Sequence, residues 1–168
     1  MNTEEILTIA EQVVSAWDWT SESVRTRPNQ LDVKVTSLAE LHPAVVGLRV
    51  KRLGFLSAIV GLDLGPEANE MEVLYYFCPG DAAIVLRVRV PRQGATLPSL
   101  SDVIPSAEVF ERELSEMFGI QITGLRNPQR LYLPDDWPDD TYPLRKDFDP
   151  SVLLAAAPAA ENTPSERN

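Results

Sequence analysis

The sequence predicts a two-layer α+β domain: a mixed β-sheet packed with helices, followed by an extended, proline-rich carboxy-terminal segment. Three observations predict it. Helical apolar spacing alternates with short runs of strand periodicity, in the order helix–two strands–helix–three strands–helix. The stretch "MEVLYYFCPGDAAIVLRVRV" reads as one hairpin. After Gly119 the regular signals thin, and Pro128, Pro134, Pro138, Pro143 and Pro150 punctuate the chain.

Taken in order, Thr3 is the expected N-cap of a first helix over residues 4–17, with Glu4 and Glu5 in its first turn and Ile6, Ala10, Val13 and Trp17 on one face. "ESVRTR" and "LDVKVT", residues 22–27 and 31–36, alternate and make a short hairpin. Ser37 is placed to cap a second helix over about 38–51, with Pro43 inside its first turns. "FLSAIVGLDLG" is short, apolar and closed by glycine, which favours a buried strand. In the long hairpin Arg87 and Arg89 share one face, with Leu86, Val88 and Val90 on the other. A loop, "PRQGATLPSLSDVIP", leads to Ser106 as cap of a third helix over 107–118, whose stripe is Ala107, Phe110, Leu114, Met117 and Phe118. Residues 1–120 form the expected domain, 121–150 an extended docking segment and 151–168 a flexible tail of Ala/Pro-biased and then polar chain.

Composition narrows the function classes. The 168 residues suffice for one core, and the net charge of −10 argues against a nucleic-acid surface or a polybasic membrane patch. One cysteine, Cys78, and one histidine, His42, are too few for a structural zinc site or an iron–sulfur cluster on this chain alone. The amino terminus is acidic and amphipathic rather than signal-like, and no apolar run approaches the roughly 20 residues that span a bilayer. Membrane contact is therefore expected only through partners.

Three charged stretches invite a chemical reading. In "ERELSEMFGI", Glu111 and Glu113 are two apart, so a helix turns them to different sides, which suits acid–base catalysis poorly. Glu108 and Arg112 stand four apart, acid first, and the expectation is ion pairing. "DDWPDD" offers Asp135, Asp136, Asp139 and Asp140 to a hard cation but lacks the calcium-loop spacing, so a solvated turn pinned by Trp137 is expected. Arg145, Lys146 and Asp147 suit an anion clamp or, as the favoured reading, an ion pair. No catalytic, cofactor-binding or metal-binding residue is assigned. A small hydrolase using the acidic cluster and a free-standing adaptor are the competing classes.

"SAEVFERELSEMFGIQITG" followed by "RLYLPDDWPDDTYPLRKDF" resembles the 30 kDa subunit family of respiratory complex I, NADH:quinone oxidoreductase, and of related energy-converting [NiFe] hydrogenases. The resemblance places the family's Glu-Arg-Glu on Glu111, Arg112 and Glu113, its acidic and aromatic positions on Glu116 and Phe118, and its glycine on Gly119. Its Pro-Leu-Arg-Lys-Asp falls on Pro143, Leu144, Arg145, Lys146 and Asp147, with Trp137 and Tyr142 beside them. It implies a non-catalytic peripheral-arm subunit without cofactors, docked on the large 49 kDa-like subunit and near iron–sulfur subunits. It implies the cytoplasmic face of a prokaryotic membrane, and support of electron transfer to quinone coupled to proton translocation. "YPLRKDF" looks more like the hydrogenase-type branch, so an equivalent subunit of a membrane-bound hydrogenase or formate hydrogenlyase-type complex is the alternative.

Overall fold

A computed structural model describes residues 2–17 and 20–156. The elements are α1 (Thr3–Ser15), β1 (Thr20–Arg27), β2 (Gln30–Val35), α2 (Leu38–Val50), β3 (Phe55–Asp63), β4 (Glu70–Cys78), β5 (Ala83–Pro91), β6 (Thr96–Pro98), α3 (Ala107–Phe118), β7 (Gln121–Thr123) and α4 (Ser151–Ala156).

The cap of α1 is Asn2, not Thr3. Its Oδ1 accepts from the Glu5 amide at 2.8 Å, and Glu5 Oε2 accepts from the Asn2 amide at 3.0 Å. That reciprocal box uses an acid already in the first turn, so the helix starts one residue earlier than the threonine suggests. Ser37 and Ser106 do precede α2 and α3, but neither side chain makes a capping bond. Pro43 is the sixth residue of α2 and forfeits one backbone bond. Burial of Leu41, Ala44, Val45 and Leu48 offsets that loss.

Five strands form one mixed sheet in the order β1-β2-β5-β4-β3. β2 and β5 run parallel, and the other pairs are antiparallel. Strand period sends Leu31, Val33, Met71, Val73, Tyr75, Phe77, Ile84, Leu86 and Val88 to one face, where all are buried. α1 lies on β1 and β2, α2 on β2, and α3 on β3. On the opposite face Arg87 joins the buried carboxylates of Asp32 (3.1 Å) and Glu72 (2.6 Å).

Two departures lie outside the main sheet. β6 and β7, three residues each, pair in parallel through Thr96–Gln121, Leu97–Ile122 and Pro98–Thr123. They fall where a loop and an extended segment are expected, because pieces this short carry no periodicity of their own. The stretch expected to be a tail begins as helix α4, whose first amide, on Ser151, bonds to Asp149 Oδ1 at 2.9 Å. Its remainder, 157–168, lies outside the described residues.

Candidate docking site

α3 is the centre of the site. Its apolar stripe sits on β3 because Gly61 leaves room: a Cβ there would lie 2.6 Å from the Phe118 ring and 2.9 Å from Leu114. The same face carries Glu111, only 2% exposed. Its carboxylate accepts from the Leu100 amide at 2.5 Å and from Ser99 Oγ at 2.6 Å. Burial pushes its pKa up, and those two bonds only partly counter it. Ser99 and Leu100 follow β6, so Glu111 ties α3 to the small parallel sheet.

Two other polar residues of α3, Arg112 and Glu116, reach the ledge, residues 124–150. Arg112 does not pair with Glu108; it donates to the carbonyls of Gln129 and Arg130, both at 2.9 Å. Glu116 accepts from three consecutive amides, Leu131 (3.1 Å), Tyr132 (3.0 Å) and Leu133 (2.7 Å). The expected ion pairing of this motif is therefore replaced by bonds from charged side chains to backbone. The physical reason is the ledge itself: proline-rich chain cannot bond its own amides and carbonyls into a ladder, so they need other partners. Glu113 takes no part in these bonds.

The helix ends against the ledge as well. Met117 O accepts from the Leu144 amide at 3.2 Å, and Phe118 O from Arg145 Nε at 2.8 Å. These are carbonyls that a helix terminus leaves unpaired. Arg145 also lies over the Tyr142 ring, 4.5 Å from its centroid. The half-buried Trp137 donates Nε1–H to Thr141 O at 2.8 Å and stacks on Phe148 at 6.3 Å, which ties the acidic turn to the chain after it. Within that turn Asp139 meets Arg130 at 3.3 Å and Asp140 accepts from the Tyr142 hydroxyl. Among the described residues no group of three or more His, Cys, Asp or Glu side chains converges to hold a metal ion.

The far end of the ledge closes on Arg92, a residue that no sequence motif singles out. Arg92 is 3% exposed and holds Asp63 through two bonds of 2.9 Å. It also grips Asp147, with one bond of 3.1 Å and a second between Nη2 and Oδ1. Asp63 further accepts from the Gly65 amide (2.9 Å) and the Lys146 amide (2.8 Å). The Arg92 guanidinium holds the Asp63 carboxyl far below the usual carboxylate range, against the opposing effect of burial. An aspartate inside the apolar run "FLSAIVGLDLG" is the one sequence signal that points to this cluster.

Thus only the end of α3 meets "YPLRKDF" directly, through Leu144, Arg145 and the Tyr142 ring beside Gly119; Arg112 and Glu116 clasp residues 129–133, Glu111 turns to the chain after β6, and Lys146 and Asp147 join the Arg92–Asp63 cluster. Leu144 and Tyr132 remain outward, 52% and 61% exposed. Glu116→Ala removes the acceptor of three amides. Hydrogen exchange at 131–133 is expected to accelerate about 5- to 150-fold, matching a local loss of about 1–3 kcal/mol, with β4 and β5 still protected. Unchanged exchange at those amides would argue against the clasp.

Residues 31–152 match the family described as respiratory-chain NADH dehydrogenase, 30 kDa subunit. The membrane-bound hydrogenase subunit beta of Pyrococcus furiosus is 33% identical over 146 residues, covering 82% of this chain and 77% of that protein. The C/D subunit of the NADH-quinone oxidoreductase of Phocaeicola vulgatus is 38% identical over 117 residues, covering 67% of this chain and 22% of that protein, so this chain spans about a fifth of its length. A chain in the structure of the membrane-bound sulfane sulfur reductase, an archaeal respiratory membrane complex, superposes with a TM-score of 0.75 over 89% of both chains at 22% identity, which establishes likeness of fold.

Proposed function

We propose that this chain, which belongs to the 30 kDa subunit family of the respiratory-chain NADH dehydrogenase, is a non-catalytic brace within a membrane-bound redox complex. It docks on a large, 49 kDa-like subunit beside iron–sulfur subunits, carries no cofactor of its own, and sits peripherally at the cytoplasmic face. Among the described residues no helix is long and apolar enough to cross a membrane, so partners would supply membrane contact. Its service is to hold redox subunits in fixed positions while electrons pass to quinone and protons are moved.

The observation that carries this reading is where the polar groups of α3 go. Glu111, Arg112 and Glu116 are spent on this chain's own backbone. Such a clasp stiffens a surface before it meets a partner, which lowers the ordering cost of association. A name joining C and D in the Phocaeicola relative supports a D-type neighbour. A second reading, the equivalent subunit of an energy-converting hydrogenase, is favoured by the match across most of the Pyrococcus hydrogenase subunit.

Co-expression with an affinity-tagged large subunit tests the proposal. The chain is expected to co-purify in equal amount and without iron, flavin or nickel. Tyr132→Asp combined with Leu144→Asp places charges on the outward ledge and is expected to weaken docking about thirtyfold, near 2 kcal/mol. Its circular dichroism should stay native. Undiminished recovery of that variant would remove the ledge as the docking surface, and a stoichiometric bound cluster would end the non-catalytic reading.

A further inference from the structure

Between Glu40 and Asp63 the sequence contains no acid, in a chain of net charge −10, yet it contains Arg49, Lys51 and Arg52. The structure gathers these at the end of α2. Lys51 is the C-cap, and the Leu53 amide returns to Leu48 O at 2.9 Å, burying Leu53. Arg52 has φ 55°, a backbone conformation that helix ends ordinarily give to glycine. Arg49 donates to Val103 O, and among the described residues none of the three cations meets a carboxylate.

Apolar groups are exposed at the same place. Val50 is 72% and Phe55 69% exposed, the highest values among the large apolar side chains described. Arg49, Arg52, Phe55, Leu56, Ile104 and Pro105 line a groove between the start of β3 and the turn leading into α3. Favourable interaction with the helix dipole accounts for cations at this end. It does not account for exposed Val50 and Phe55, nor for an arginine where glycine fits best.

We propose that this groove receives an acidic segment of a neighbouring subunit, which inserts a large apolar side chain against Phe55. Charge complementarity selects the occupant: cations that meet no carboxylate among the described residues, on a protein of net charge −10, attract carboxylates and orient the encounter. The groove's walls favour a protein side chain over a lipid surface, which would meet a protruding apolar face. The site is separate from the ledge, and it rests on the reading above that the chain works inside a multisubunit complex.

The test uses the complex purified through its large subunit, with Phe55 replaced by photoreactive p-benzoylphenylalanine. After illumination, mass spectrometry is expected to find the cross-link on a segment of a sister subunit that is net acidic and bears a large apolar residue. Lys51→Glu with Arg52→Glu should cut that cross-link at least fivefold. A cross-link to a basic or uncharged segment, to a second copy of this chain or to lipid overturns the proposal. So does the absence of any cross-link from a chain that has co-purified. Failure to co-purify at all instead defeats the reading of this chain as part of a complex, so the two failures are distinct.

Discussion

Arg92→Met is expected to destabilise the protein by about 3–5 kcal/mol at neutral pH, because it strands Asp63 as a buried charge without its cation. The Asp63 side chain is 1% exposed and the Arg92 side chain 4%, so water reaches neither easily. Against a total stability of about 5–15 kcal/mol, such a loss is a large fraction. The same substitution frees Asp147, so the end of the ledge should loosen with the core. Urea denaturation at pH 7 measures the first effect, and proteolysis between residues 140 and 150 the second.

The pH dependence supplies a sign as well as a size. In the parent chain Arg92 is the main cause holding Asp63 low, with the Lys146 and Gly65 amides assisting against burial. Asp147 is lowered by the same guanidinium. A carboxyl whose pKa is depressed by folding contributes stability that is present in full above its unfolded value of about 3.9, and loses it as pH falls through the folded value. The parent should therefore lose this contribution below about pH 4. In Arg92→Met, burial dominates at Asp63, its pKa rises, and acidification from pH 7 should recover stability. Adding Asp63→Asn removes the stranded charge, so the double variant should be more stable than the single one. A single variant within about 0.5 kcal/mol of the parent, with the parent's acid-side slope, would show that the cluster is not structural.

The parts of this molecule that could be read in advance are those written in local periodicity. The alternation in residues 71–90 gives β4 and β5 and correctly separates Arg87 and Arg89 from Leu86, Val88 and Val90. The stripe of residues 107–118 gives α3 with its observed bounds. What periodicity lacks is the destination of a polar side chain. Nothing in the spacing of Glu116 announces that three amides from residues 131–133 bond to it. Asp63 and Arg92 stand 29 residues apart and meet only when β3 and the end of β5 are both placed. β6 and β7 exist because tertiary packing sets 96–98 beside 121–123.

The clasp also explains why charge and proline occur together in the ledge. Each proline removes an amide and fixes φ, which lowers the entropy that ordering must overcome. The amides and carbonyls that remain need partners, and α3 supplies them through Glu116, Arg112 and its own terminal carbonyls. A segment assembled this way is held by a few specific bonds rather than by a continuous ladder. Its stability should therefore respond to single residues at the α3 end.

Gly119→Ala follows from that argument and should cost about 2–5 kcal/mol, the sum of two separate penalties. Gly119 is the C-cap of α3, with φ 70° and ψ 30°, a left-handed conformation that costs an L-residue about 1–2 kcal/mol. Independently, an added Cβ would lie 2.5 and 2.7 Å from Tyr142 ring atoms Cε2 and Cε1. The ring must move, and with it the Arg145 guanidinium stacked on its face and bonded to Phe118 O. Overpacking of this kind adds about 1–3 kcal/mol. The two terms separate in a double-mutant cycle with Tyr142→Ala. Removing the ring abolishes the clash but leaves the backbone strain, so Gly119→Ala should cost only about 1–2 kcal/mol in that background. If the alanine costs the same with and without the ring, Tyr142 does not seal the helix end, and the clasp reduces to its hydrogen bonds through Glu116, Arg112, Leu144 and Arg145.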